Sequence, residues 1–380
     1  MRILLVTNNY PPKIGGMENM LYQLVSHWQK EHSIIVLGPY GTGHDSDSAA
    51  TVFRPKIKGL LWFFAAALKN SLAKLKGETF DIVLAGSALV LPLATILGRM
   101  FKAPMVTQVH GLDLTYPNKI YQMVVKRLLP FSILVVANSA NTARIAIELG
   151  LPEKNITVVN PGLDFAEFAA LPDRQTAKAR HEFQGKKVIL SAGRLAPRKG
   201  IPEFIERVLP GLLESHPDLL FVVAGDNPTD SLAHKEDVLS RIHEATRRIK
   251  GGEHVRTLGR VPRKKLLELY AAADVFVLPA IETSDDVEGF GIVLIEAGAA
   301  RCPVVSTRHG GIPDAVVDGG TGVLVSPGDW KAMAEALSHL LTAPEFGAAM
   351  GEEGRKRAEH QHDWSVVGRK YIQVVSHLSI

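Results

Sequence analysis

Cysteine is nearly absent from this chain: its 380 residues hold one, Cys302. A single thiol excludes an intrachain disulfide framework and any cysteine-built zinc or iron–sulfur site, and it suits a reducing cytoplasm. Long apolar runs are missing too. After Met1 and Arg2 the apolar stretch 3–6 ends at Thr7-Asn8-Asn9, shorter than the core a signal peptide needs. The longest uncharged stretch, 82–98, approaches the length of a membrane span. Gly86-Ser87 breaks it and Pro92 lies inside it, so a buried strand, a turn and a helix fit better. The turn after the first apolar run lacks G-x-G-x-x-G, which argues against an NAD or FAD enzyme, and no Walker A motif occurs anywhere.

What is present is ordinary for a globular protein, 46% hydrophobic and 22% charged, so collagen-like, coiled-coil and wholly disordered classes are excluded. The length predicts two domains. The net charge of +4 is uneven. Residues 1–170 carry 16 Lys and Arg against 11 Asp and Glu, a net of +5, and residues 171–380 carry 27 against 28, a net of −1. The excess is too small for a nucleic-acid tail, so no nucleic-acid partner is expected. It marks either a chance asymmetry or a face that meets an anionic surface or substrate.

Short Val/Ile/Leu runs alternate with amphipathic segments. Strands are expected at 3–7, 34–37, 82–85, 105–109, 133–137 and 156–159, then at 188–192, 219–224, 255–258, 275–278, 304–306 and 322–325. Continuous apolar strands separated by helices imply a parallel sheet covered on both faces. The pattern restarts near Lys187 after a polar interval at 164–185, which gives an α/β chain of two Rossmann-like domains. Such sheets bind ligands at the carboxyl ends of their strands, so the chemistry should lie in the loops that follow.

The first strand runs into Tyr10-Pro11-Pro12 and then Gly15-Gly16 at a helix start, where a substrate could approach backbone amides; a plain tight turn is the other reading. His110-Gly111-Leu112-Asp113 follows the strand 105–109. A histidine there can exchange hydrogen bonds with a substrate hydroxyl, or it can be a structural residue. Gly193-Arg194-Leu195-Ala196-Pro197-Arg198-Lys199-Gly200 places three cations between glycines just before a helix, which suits a diphosphate. The richest stretch is Asp286-Val287-Glu288-Gly289-Phe290-Gly291-Ile292-Val293-Leu294-Ile295-Glu296-Ala297. Its glycines free amides at a helix start, and Glu288 precedes that start, where it can accept from a polyol. Glu296 lies among Ile, Leu and Ala and must have a partner unless it faces the surface; paired ribose hydroxyls would serve. Asp45-Ser46-Asp47 has the D-x-D form of a metal motif without supporting ligands, so it reads as solvated, and no metal site is expected. Gly310-Gly311-Ile312-Pro313 reads as a turn with a helix start, and Cys302 before Pro303 reads as structural.

Together these segments resemble the retaining glycosyltransferases of the GT-B fold in the large family four, the glycosyl transferases group 1, in the flavour of the phosphatidylinositol mannosyltransferases. The resemblance covers nearly the whole chain and is most specific in the E-x7-E element of Glu288 and Glu296. It implies two Rossmann-like domains facing across a cleft. Residues 1–170 would bind the acceptor, with 364–380 returning to them, and 171–363 would bind the nucleotide sugar. By the same resemblance Arg194 and Lys199 would hold the donor diphosphate and stabilise the leaving nucleotide. Glu296 would hold the ribose, and Glu288 with Gly289, Phe290, Gly291 and Ile292 the donor sugar. His110 would lie beside the reacting centre. Gly15 and Gly16 would admit the diphosphate or acceptor, and Arg260-Val261 would lie along the base. Fixed cations where charge develops make a metal cofactor unnecessary. The departures are Gly225-Asp226-Asn227-Pro228, where many relatives carry a second glycine, and Asp113, where some carry glutamate. With no evident nucleophile, front-face attack is favoured over a covalent intermediate.

The donor implied is a nucleotide diphosphate sugar, GDP-mannose ahead of UDP-sugars, and the acceptor a lipid-linked or saccharide hydroxyl in envelope polysaccharide or glycolipid synthesis. The stretch 56–76 contains no acid; Leu61, Phe64, Leu68, Leu72 and Leu75 share one helical face, and Lys58, Lys69 and Lys76 fall within roughly 20° of each other. It reads either as a core-packed helix with a solvated lysine edge or as a helix lying on an anionic membrane, with Lys119, Lys126 and Arg127 as a second contact. The expected location is cytoplasmic, at the inner membrane face. The alternatives are a nucleotide-sugar epimerase of the same fold, for which no acid–base pair at the sugar C2 is evident, and an inactive sugar-nucleotide-binding protein.

Overall fold

The structure, a computed structural model, describes residues 1–13, 15–41, 50–227, 236–283 and 286–377. Asp45-Ser46-Asp47 and Pro228 lie outside the described residues. The chain forms two units, Met1–Gly162 with Trp364–Ile380, and Leu163–Asp363.

The first unit is built on a parallel sheet of β1 (Arg2–Val6), β2 (Ser33–Leu37), β3 (Thr51–Phe53), β4 (Ile82–Ala85), β5 (Met105–Val109), β6 (Leu134–Ala137) and β7 (Ile156–Val158), in the order β3-β2-β1-β4-β5-β6-β7. Leu4 pairs with Ile35 on one side and Val83 on the other. Successive side chains point to opposite faces, and both faces are buried: Leu4, Val6 and Val83 lie in one apolar cluster, Ile3, Leu5 and Ile82 in another. This explains the unbroken apolar strands. The uncharged stretch 82–98 becomes β4, a 3₁₀ turn at Ala88–Val90 and the helix Leu91–Phe101. Among the described residues no helix is long and apolar enough to cross a membrane. β3 was not expected; it is a three-residue edge strand, exposed to half-buried.

The second unit repeats the plan with β8 (Lys187–Ala192), β9 (Leu219–Ala224), β10 (Val255–Thr257), β11 (Val275–Leu278), β12 (Val304–Thr307) and β13 (Gly322–Val325), ordered β10-β9-β8-β11-β12-β13 and all parallel. In each sheet the order reverses once, beside β1 in the first and beside β8 in the second. Loops leaving the strands on either side of such a reversal diverge and open a crevice. In the second sheet those loops are 193–200 after β8 and 279–291 after β11.

The boundary falls at Gly162, not at 170. Leu163 and Phe168 are buried in the core of the second unit, and the Leu163 N–H donates to the His362 carbonyl at 2.8 Å. The helix Trp364–Ser376 belongs to the first unit. There the Trp28 indole donates to Gly368 O at 3.1 Å, its ring meets Tyr371 at 5.1 Å, and the Tyr371 hydroxyl donates to Gln108 Oε1 at 2.8 Å. Redrawn at this boundary, the charge asymmetry sharpens. The first unit carries 18 Lys and Arg against 9 Asp and Glu, a net of +9, and the second 25 against 30, a net of −5.

Candidate functional site

In the second unit the cation loop after β8 is closely approached at its two glycines, by backbone at Gly200 and by a side chain at Gly193. A Cβ on Gly200 would sit 2.1 Å from Pro279 O, and one on Gly193 2.8 Å from Lys199 Nζ; both glycines have positive φ. The Ile281 N–H donates to Arg198 O at 2.9 Å, so the loops after β8 and β11 are stitched together. The Glu288-Gly289 segment is fixed from below by Gly310 and Gly311. The Gly311 N–H donates to Glu288 O at 2.8 Å, and a Cβ there would lie 2.1 Å from Gly289 O. Gly310-Gly311 is therefore a seat for the Glu288-Gly289 segment, not only a turn.

The three cations do different work. Arg194 is exposed. Lys199 is 6% exposed, with Nζ 3.4 Å from Ala192 O; burial lowers its pKa to about 8, against the attraction of Glu288 and with the repulsion of Arg198 and Arg194. Arg198 is paired within the chain, its guanidinium 2.5 Å from Asp286 and 3.3 Å from Glu288, whereas among the described residues no acid pairs with Arg194 or Lys199. Glu288 keeps 12% of its side chain exposed. Burial alone would raise its pKa, but Arg198, Lys199 and Arg194 outweigh that and hold it below the usual carboxylate range.

Gly291, at φ 86°, opens the helix Ile292–Ala299. Among the described residues nothing accepts from the Phe290 and Gly291 amides, which leaves them for a ligand oxygen. The Phe290 ring is buried against His362 at 5.7 Å. Glu296 is 8% exposed, and its partners are not those expected. Arg263 donates to Oε1 at 2.5 Å and Tyr270 to Oε2 at 2.9 Å. A buried carboxylate did require a partner, but the chain supplies two, so burial alone does not call for a ribose. Arg260 is exposed, whereas the Val261 side chain packs on the core. Gly225 is demanded by packing, since a Cβ there would lie 2.0 Å from Gly193 O. Asp226 accepts through its carbonyl from Leu195 N–H, and Asn227 is tied to Asp237 at 2.7 Å.

The first unit holds the other expected residues. His110 is buried, and its Nε2 lies 3.0 Å from Gly86 O. A carbonyl only accepts, so Nε2 donates to it. Asp113 shapes this loop, accepting from His110 N–H at 2.8 Å and Ala88 N–H at 2.9 Å. Gly15 is extended and caps the helix Gly16–Trp28 with no side-chain bond, and a Cβ on Gly16 would meet nothing within 4 Å. Among the described residues no packing requires a glycine at 16. Cys302 is buried and its thiol is pushed up to about 12, which makes it inert.

The family Glycosyl transferases group 1 matches residues 173–357, and Glycosyltransferase Family 4 matches residues 14–167. Over 385 residues the chain is 30% identical to the GDP-mannose-dependent alpha-(1-6)-phosphatidylinositol monomannoside mannosyltransferase of Mycolicibacterium smegmatis, covering 98% of each. The chain belongs to the glycosyl transferases group 1. Within that family it is also 27% identical, over 98% of its length and 94% of the relative's, to a glycogen synthase of Mycobacterium tuberculosis. Its fold matches that of Anabaena HepE, solved with UDP and glucose, at a TM-score of 0.80 with 21% identity over 99% of this chain and 100% of that one. The two parallel-sheet units are thus the GT-B fold of a glycosyltransferase that uses a nucleotide sugar. Arg263 and Tyr270 are the site residues that sequence reasoning missed.

Proposed function

We propose that this glycosyltransferase moves a hexose, mannose from GDP-mannose first and a UDP-linked sugar second, to a lipid-linked or saccharide acceptor with retention of configuration and without a metal. The observation that carries the reading is the convergence of Arg194, Lys199 and Glu288 with the free Phe290 and Gly291 amides at the strand-order reversal of the second sheet. Two cations, one exposed and one buried, beside a helix N-terminus fit a diphosphate, and Glu288, held ionised, fits sugar hydroxyls. Names of relatives favour GDP-mannose and a phosphoinositide acceptor.

In the step this supports, the bond between C1 and the diphosphate oxygen breaks with its electron pair leaving on the nucleotide. Arg194 and Lys199 stabilise the charge that develops there. The acceptor oxygen bonds to C1 on the same face and its proton passes to the departing phosphate oxygen, so configuration is retained. His110, with Nε2 held by Gly86 O, would turn Nδ1 to a sugar hydroxyl. A thermal-shift panel of UDP, GDP, ADP and their sugars tests the donor: a ligand at 100 times its Kd adds about 2.7 kcal/mol. Undiminished transfer by both Arg194→Ala and Glu288→Ala would overturn the reading.

The second element of the proposal is docking on an anionic membrane. The helix Leu60–Lys74 packs on the core through Phe63, Ala67 and Ser71, with Leu75 just beyond it. Of the expected apolar face, Leu61 and Leu72 are turned outward with Trp62, Leu61 being 86% exposed. This helix therefore has a second apolar face, edged by Lys69. The helices Leu91–Phe101 and Lys119–Leu128 pack in the same cluster and expose Ile96, Met100, Ile120 and Met123, Ile120 at 71%. None of the three helices contains an acid. Apolar groups among cations alone suit a surface of anionic headgroups over acyl chains. Cosedimentation with vesicles rich in phosphatidylinositol or phosphatidylglycerol tests this. A Leu61→Asp/Leu72→Asp variant that binds vesicles as the parent does would refute it.

A further inference from the structure

We propose that Arg198 and Arg263 are positioning residues for the donor site, each holding one glutamate of the Glu288–Glu296 pair and each anchored by a second acid. The proposal rests on reading this site as the donor site. Both arginines sit between two acids, but Arg263 hydrogen-bonds Glu296, whereas Arg198 meets Glu288 as an ion pair without a hydrogen bond. Arg198 lies between Glu288 at 3.3 Å and Asp286 at 2.5 Å. Arg263 lies between Glu296 at 2.5 Å and Glu167 at 2.7 Å, its guanidinium over the Phe168 ring at 5.7 Å. Asp286 and the side chains of Glu288 and Glu296 are nearly buried, and Tyr270, wholly buried, donates to the second oxygen of Glu296.

Two carboxylates beside a diphosphate would repel it unless each had its own counter-charge. An arginine bound to a single acid would itself turn to the phosphate, because a guanidinium binds phosphate through two parallel bonds. The second acid removes that freedom. Arg198 and Arg263 stay with the glutamates, and the phosphate falls to Arg194 and Lys199. A carboxylate offers about four acceptor positions. Arg263 takes one on Oε1 and Tyr270 one on Oε2, which fixes the plane of Glu296 and leaves the remaining positions for ligand hydroxyls. Burial keeps the Tyr270 phenol protonated, so it always donates.

The test compares Glu296→Gln, Arg263→Gln, Arg263→Lys, Glu167→Gln and Asp286→Asn. It measures GDP and UDP binding by calorimetry, and donor KM and kcat. Glu296→Gln is expected to weaken nucleotide about tenfold or more, as the loss of a charged hydrogen-bond acceptor does. Arg263→Gln should match it. Arg263→Lys keeps the charge but cannot span two acids, and should recover only part of the affinity. Glu167→Gln and Asp286→Asn touch neither glutamate and should raise donor KM several-fold with kcat near that of the parent. Glu167 is partly exposed, so its variant tests the proposal even if Arg263→Gln does not fold. A harmless Glu296→Gln would overturn the donor-site reading. An impaired Glu296→Gln alongside parental behaviour in the Arg263, Glu167 and Asp286 variants would overturn the positioning proposal alone.

Discussion

Replacing Lys199 by Met removes one titrating cation from the site and leaves the length of its side chain nearly intact. The lysine is buried beneath Gly193 with a single long bond to Ala192 O, and desolvation brings its pKa from 10.5 to about 8. A bound diphosphate favours the charged form, so the pKa rises again in the complex. The free protein therefore binds nucleotide best below about pH 7, half as well near pH 8, and about tenfold worse per pH unit above that, until the pKa of the complex is reached. Stability of the unliganded protein moves the other way. Between about pH 8 and 10.5 the unfolded chain holds a proton on Lys199 that the folded chain has lost, so folding gains as pH rises, by up to about 3 kcal/mol. Calorimetry with GDP and UDP from about pH 7 to pH 9, and chemical denaturation over the same range, measure both slopes. The Met variant should bind weakly with a flat pH profile and should lack the rise in stability. Equal pH slopes in the two proteins, or a flat profile in the parent, would refute the assignment of Lys199 to the diphosphate.

Tyr371→Phe should lower stability by about 1–2 kcal/mol, because it leaves the buried Gln108 Oε1 without the hydroxyl that now donates to it; thermal melting with transfer activity retained checks this. Gly311→Ala should weaken nucleotide binding at least about tenfold, since its Cβ would stand 2.1 Å from Gly289 O and the donor loop must shift. Parental affinity in that variant would show that the seat beneath Glu288 does not position the loop.

The parallel strands could be read from the sequence because strands buried on both faces are continuous apolar runs, and twelve were expected where the structure has them within a residue or two. Thr51–Phe53 was missed because an edge strand of three partly exposed residues has no such run. The boundary was misplaced because Leu163 and Phe168 sit in a stretch that looks polar as a whole, although each anchors the core of the second unit. Motif spacing placed Arg194, Lys199, Glu288 and Glu296 in one neighbourhood of the second unit. It could not reveal what holds the glutamates. Arg263 and Tyr270 lie 33 and 26 residues before Glu296, on a different helix, and ion pairs between elements leave no local periodicity. The available signal was negative: a carboxylate in the apolar helix Ile292–Ala299 demands a partner, and a Tyr inside an apolar helix turn such as Leu269-Tyr270-Ala271 is a candidate donor.

The charge distribution separates two kinds of binding by their response to salt. The second unit, net −5, has no long-range field to draw in an anionic donor; in the proposed reading its affinity comes from short contacts at Arg194, the buried Lys199 and the free amides. The arginines add nothing to such a field, since Arg198 and Arg263 are each outnumbered by two acids. The first unit, net +9, presents exposed lysines on helices without acids, where screening acts fully. Raising salt from about 0.05 to about 0.3 M shortens the screening length roughly twofold, and should release the protein from anionic vesicles while changing nucleotide affinity by less than about threefold. Flotation and calorimetry on the same preparation read both. If nucleotide binding proved the steeper of the two, the donor would be held by exposed charge, and the buried site built around Lys199 could not be what binds it.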